Sequence, residues 1–310
     1  YYIESSDQEK ANICILCPDY KDVALKEIFA IRDSEGKWKT RVIAMPEPIL
    51  RIEGDLNRKG VGMYDKMNGI GANEIIIESP FHNIYPEDMG FEQMINVITT
   101  YKNRISELER DPRLRYSLIY KNYNILSDMI SQHPCSHLIA TPIIPKGIKD
   151  ELDGAKSYYH YKERCIFCDI INEELRIGTR IIAENRSFIV FTPFAPRSSF
   201  EYWIAPKRHN CAFQEIYDEE IYDLSHIFMT SIKKMRTILK NPPYSYVIHT
   251  APNRMPRKNH WHTLGDDFHW HIEVVPQLVA NNLFEQSSGF YILTTSPEDA
   301  AKYLREAKPQ

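Results

Sequence analysis

Residues 91–109, FEQMINVITTYKNRISELE, place Phe91, Met94, Ile95, Val97, Ile98, Tyr101 and Ile105 on one stripe, the spacing of an amphipathic helix. Residues 214–238 behave in the same way. Around these two helical stretches lie shorter apolar runs that read as strands: 74-EIIIESPFHN-83, 116-YSLIYKN-122 and 133-HPCSHLIATP-142, then 201-EYWIAPKRHN-210, 244-YSYVIHT-250 and 269-HWHIEVVP-276. Residues 251–268, rich in Pro, Asn and Arg, read as a long loop, and a loop of that length in a compact domain is more often functional than decorative.

The second group of runs repeats the first. In 74–83 and 201–210 a Glu opens an apolar run with a Pro, and a His-Asn pair closes it, the His standing eight positions after the Glu in both. The runs at 116 and 244 both open on Tyr-Ser, and those at 133 and 269 open on His-x-Cys and His-x-His and close on Pro. Each copy is preceded by a CxxC pair, CILC at 14–17 and CIFC at 165–168. Four coincidences in one order argue for a duplicated unit. The expected fold is α+β: two tandem halves, 1–148 and 149–310, each a mainly antiparallel sheet with helices packed on one side. The boundary falls near 143–164, where a strand pattern gives way to a charged helix.

Aligning the copies gathers two equivalent ligand sets: Cys14, Cys17, His82 and His133, and Cys165, Cys168, His209 and His269. Two thiolates with two imidazoles make a closed tetrahedral zinc site, which staples the chain and activates no water. A redox CxxC normally opens a helix directly after a strand, whereas CILCPDY carries a Pro directly behind its second Cys. The second half also offers His249, His269 and His271 with Glu151, a set suited to iron or zinc. His269 serves both arrangements, so at this level they compete.

The rest of the composition is unremarkable for a globular chain of 310 residues, with 43% hydrophobic and 26% charged residues. A net charge of −4 gives no reason to expect a nucleic-acid or membrane surface as partner. No apolar run approaches the roughly 18 residues of a membrane span and no charged-then-apolar leader opens the sequence, so a cytoplasmic protein is expected.

The stretches CILCP, AIRDSEGKWKTRVI, YDKMNGIGANEIIIESPFHN, LIYKN, DELDGAKSYYHYKERCIFCDII, FHWHIEVVPQL and GFYILTTSPEDAAKYLRE together resemble the galactose-1-phosphate uridylyltransferase family of the histidine-triad superfamily, in its short, ADP-glucose-phosphorylase-like branch. The resemblance runs nearly end to end. It implies two histidine-triad-like halves and nucleotidyl transfer by double displacement: a histidine attacks the α-phosphorus of a nucleotide sugar, and a sugar phosphate or phosphate discharges the nucleotidyl-enzyme. It also implies bound zinc and a possible homodimer. Family members carry His-Pro-His-(Ser/Gly)-Gln, so the resemblance puts Cys135 in the nucleophile's place, Ser136 and Asn122 at substrate-contact positions, and His137 in place of the Gln. The Gly-rich approach to the motif is replaced by 123-YNILSDMISQ-132, and Met45 and Glu47 stand where family members carry an Asn and a Phe at the base pocket. Three alternatives follow. Cys135 is a working thiolate nucleophile assisted by His137; or His137 has itself become base or nucleophile; or the chemistry is lost and a zinc-bound, nucleotide-binding scaffold remains.

Overall fold

The computed structural model describes residues 14–18, 25–84, 86–124, 133–256, 261–278 and 283–308. Most of the segment 123–132 and His260 of the long loop lie outside the described residues. The first half contributes β1 (Glu27–Arg32), β2 (Trp38–Ala44), a small hairpin of β3 (Lys59–Val61) and β4 (Tyr64–Lys66), β5 (Ala72–Ile77), α1 (Phe91–Leu108), β6 (Tyr116–Tyr123) and β7 (Cys135–Thr141). The second contributes α2 (Lys146–Lys162), α3 (Ile166–Ile177), β8 (Ile181–Glu184), β9 (Phe188–Phe191), β10 (Tyr202–Pro206), α4 (Asp218–Leu239), β11 (Tyr244–His249), α5 (Leu264–Asp267), β12 (His271–Pro276), α6 (Leu283–Ser288) and α7 (Pro297–Glu306).

Ten strands form one antiparallel sheet in the order β1-β2-β5-β7-β6-β11-β12-β10-β9-β8. Read outward from the β6–β11 seam, the five strands of the first half match the five of the second one for one, as a duplication requires. The seam runs from Ile119 opposite Ile248 to Tyr123 opposite Tyr244. Where β5 begins, a Cβ on Gly71 would come within 2.3 Å of the Ala140 carbonyl, so only glycine lets the two strands approach there.

The helical stripe is confirmed over 91–108: Met94, Val97, Ile98, Tyr101, Ile105 and Leu108 are buried, at helical spacing. They pack with α4 and α7 over one face of the sheet, against Val42, Ile76, Ile119, Leu138, Ile204 and Val274. The expectation of helices on one side is incomplete. Alternate strand residues present a second apolar face, with Tyr116, Leu118 and Trp203, and this face is covered by Ile148, Leu152 and Ala155 of α2, Phe167 of α3 and Leu264 of α5. The loop 251–268 thus carries a short helix that closes part of the core. Among the described residues no helix is long and apolar enough to cross a membrane.

Candidate active site and metal centres

The first CxxC lies in a turn and the second opens α3 at its N-cap, Cys165, yet both face a pair of histidines. In the first group Cys17 Sγ lies 3.4 Å from His82 Nδ1 and 3.6 Å from His133 Nδ1, Cys14 Sγ lies 3.7 Å from His133 Nδ1, and the two imidazole nitrogens are 3.4 Å apart. In the second, Cys168 Sγ lies 3.2 Å from His209 Nδ1 and 3.5 Å from His269 Nδ1, with Cys165 completing the set. A tetrahedral ion about 2.3 Å from sulfur and about 2.0–2.1 Å from nitrogen spaces its donors roughly 3.3–3.8 Å apart, so both groups fit one.

The far side of three of the four rings supports the same reading. His133 Nε2 donates to the Ser79 carbonyl at 2.8 Å, His209 Nε2 to the Gly265 carbonyl at 2.8 Å and His269 Nε2 to the Pro206 carbonyl at 2.9 Å, which fixes the tautomer that leaves Nδ1 free for an ion. Burial pushes the pKa of His133 and of His269 down, favouring the neutral, metal-binding form. All six cysteines are free of disulfides.

The second half does not have to choose between its two arrangements. Both ring nitrogens of His269 are committed, one toward the cysteines and one to Pro206, so His269 takes no part in the other group. Glu151, His249 and His271 come together without it. His249 Nδ1 is 2.6 Å from Glu151 Oε2, His271 Nε2 is 3.6 Å from Glu151 Oε1, and Glu273 lies 3.4 Å from His249 and 3.7 Å from His271. Arg197 closes the cluster on Glu273. Burial alone would raise the pKa of Glu273, but His249, Arg197 and His271 outweigh it and hold the carboxyl well below the usual range. His271 stacks on Trp203 at 4.5 Å. Glu151 Oε1 and His271 Nε2 are buried and have no hydrogen-bond partner.

The predicted reaction residues sit on β6 and β7. A cavity of about 330 Å³ lies at the ends of these strands and is lined by His82, Lys121, Asn122, Pro134, Cys135 and Asn241, among others. It lies where the strands part: the β6–β7 pairing ends at Tyr120 opposite His137, and beyond it Lys121, Asn122 and Tyr123 are in register only with β11 on the other edge of β6. Asn122 accepts a hydrogen bond from Ser245 Oγ at 2.9 Å, which orients its side chain at the cavity.

Strand alternation divides the motif residues. Cys135 is 4% exposed and packs with Leu16, Ile43, Ile75 and Ile77. His137 follows it on the same face, stacked on Tyr120 at 5.2 Å. Ser136 points the other way, is fully buried, and its hydroxyl meets that of Tyr101 at 2.8 Å, so it does not reach the cavity. Behind it lies a polar network that the sequence reading passed over. Tyr101 donates to Glu78 Oε1 at 2.7 Å and meets the Tyr246 hydroxyl at 2.7 Å, while Glu78 pairs with Lys121, whose Nζ also donates to the Cys135 carbonyl at 3.0 Å. Burial first, and the Glu78 charge second, push the Tyr101 pKa well above its usual range, so the hydroxyl stays protonated. The available signal was a Glu and a Lys inside two apolar strand runs, IIIES and LIYKN.

No protein-family model matches the sequence. Among curated proteins, ADP-glucose phosphorylase of Arabidopsis thaliana is 30% identical over 299 residues, covering 96% of this chain and 82% of the relative. Galactose-1-phosphate uridylyltransferase of Thermotoga maritima is 24% identical over 260 residues, covering 82% and 79%. The chain belongs to the galactose-1-phosphate uridylyltransferase family. Solved structures agree: that of an ADP-glucose phosphorylase from Arabidopsis thaliana with bound ADP-glucose superposes with a TM-score of 0.84 at 29% identity, covering 95% of this chain and 91% of that one. A uridylyltransferase structure at 22% identity has a TM-score of 0.82 and attests the shared uridylyltransferase fold. The family is one of nucleotidyltransferases, and within it this chain sets a cysteine, Cys135, at the cavity between the parted strands.

Proposed function

We propose that the protein is a zinc-binding nucleotidyltransferase that moves a nucleoside monophosphate from a nucleotide sugar to phosphate or a sugar phosphate, with ADP-glucose and phosphate as the first pair to test. The observation that carries this reading is the cavity at the parted ends of β6 and β7, where Asn122 and Cys135 meet. The similarity to ADP-glucose phosphorylase over 96% of the chain supports the choice of donor.

In this reading Asn122 holds the nucleotide, and the Cys135 sulfur attacks the α-phosphorus as the thiol proton passes to the His137 imidazole on the same strand face. An S–P bond forms, the bond from the α-phosphorus to the bridging oxygen breaks, and hexose 1-phosphate leaves with the electron pair. An oxygen of phosphate or of a sugar phosphate then attacks the same phosphorus and expels the thiolate. Zinc in each Cys₂His₂ group would supply structural anchorage, with no open coordination position. Glu151, His249 and His271 form a third, mixed O/N group suited to iron or zinc, and its orphaned Glu151 and His271 atoms favour an occupant.

A second reading is favoured by the packing of Cys135 among Leu16, Ile43, Ile75 and Ile77, surroundings in which a cysteine behaves as a small hydrophobe. There the scaffold binds the nucleotide sugar without a covalent step. Steady-state turnover with ADP-glucose or UDP-glucose as donor and phosphate or hexose 1-phosphate as acceptor tests the proposal. Formation of a new nucleoside diphosphate or nucleotide sugar supports it; binding without turnover selects the second reading.

A further inference from the structure

We infer that Glu78 and Lys121 form a positioning pair that sets the backbone of β7 at Cys135 where the sheet has opened to admit the donor. The inference rests on the nucleotidyl-transfer reading of the same cavity and adds two residues to it.

The start of β7 is tied at four consecutive residues. The His133 ring donates to the Ser79 carbonyl, the Pro134 carbonyl accepts from the Glu78 backbone N–H at 2.9 Å, the Cys135 carbonyl accepts from Lys121 Nζ at 3.0 Å, and the Ser136 hydroxyl meets Tyr101. The third tie falls beyond the last β6–β7 pair, Tyr120 opposite His137. An ammonium therefore takes up a carbonyl that the parted strand no longer serves, and it does so from a residue that lines the cavity.

The charges are costly where they stand. Glu78 is 1% exposed and Lys121 is 3% exposed. Desolvating two such ions costs several kcal/mol each, and an apolar pair of similar volume is often as stable or more so, so stability alone is a weak reason for the pair. Its ties give a better one. Glu78 touches Lys121, Tyr101 and Tyr246, so one carboxylate links the end of β5, whose Glu78 backbone N–H holds the Pro134 carbonyl, to α1, β6 and the second half's β11. Moving the Cys135 carbonyl moves the Cys135 side chain with it, and a displacement of about 1 Å at a reacting group can cost ~10²-fold in rate.

The test compares the parent with Lys121→Met, Lys121→Arg, and the double variant Glu78→Leu/Lys121→Met, which leaves no orphaned charge. With ADP-glucose and phosphate, kcat should fall by about 10–100-fold in Lys121→Met and in the double variant, with KM for ADP-glucose within about threefold and partial recovery in Lys121→Arg. Independently of turnover, amide hydrogen exchange across residues 133–137 should speed up by at least about tenfold in the double variant while its metal content matches the parent's. Unchanged exchange there, or a kcat loss no larger than the loss of folded protein, overturns the inference. A parent that turns over no donor defeats the transferase reading, and the exchange measurement still decides the role of the pair.

Discussion

The two halves handle the same strand pair differently. In the second half β11 and β12 stay paired to the end, with His249 opposite His271. In the first half β6 and β7 pair only as far as Tyr120 and His137, so Cys135, the repeat counterpart of His271, has left β6 and keeps only Ile77 of β5 as its register partner. The closed end is filled by the Glu151, His249, His271 and Glu273 side chains, and the open end leaves a cavity of about 330 Å³. The duplicated scaffold keeps one Cys₂His₂ group in each copy, and in the proposed function it frees the first copy for ligand chemistry. In the proposed function the Cys₂His₂ groups serve the scaffold and the gap serves the donor.

The largest expected effect concerns those groups. Cys17→Ser and Cys168→Ser should each remove one metal per chain by elemental analysis and lower stability by several kcal/mol, because binding at such sites is coupled to folding. The comparison adds a difference: the first variant also loosens His133 and should abolish turnover, while the surviving folded fraction of the second keeps kcat/KM within about tenfold of the parent. Equal losses in both would erase the distinction between the halves.

A smaller effect is expected at the gap itself. Asn122→Ala should weaken ADP-glucose binding about tenfold, near 1.4 kcal/mol, and Ser245→Ala, which removes only the hydroxyl orienting Asn122, should weaken it less than about threefold. Calorimetric titration reads both. The reverse order would place the nucleotide away from Asn122. The smallest effect on turnover is expected from Glu151→Gln, which should lower metal content by one without touching the two cysteine groups. Identical metal content in parent and variant would mean that Glu151, His249, His271 and Glu273 form a closed ion-pair cluster.

The ligand groups could be read from the sequence because they depend on residue type and repeat spacing, which survive without any knowledge of the pairing. Helix α1 was legible for a similar reason: a stripe from Phe91 to Ile105 has to be buried somewhere. What stayed hidden depends on which strands meet. Glu78 and Lys121 are 43 residues apart, and nothing periodic marks them as partners. The separation of His269 from His271 depends on tertiary structure too, because the Pro206 carbonyl that takes the His269 Nε2 is 63 residues away. The face of Ser136 was within reach of sequence reasoning, since strand alternation already sets it opposite Cys135, whereas its contact with Tyr101 depends on where α1 packs.

The most direct test of the account is the intact mass of the full chain after incubation with ADP-glucose or UDP-glucose without an acceptor. The account predicts added mass equal to one nucleoside monophosphate, located by peptide mapping to the β7 segment, lost in Cys135→Ala and discharged by phosphate or hexose 1-phosphate. An adduct in the second half, or neither adduct nor turnover with either donor, would contradict it.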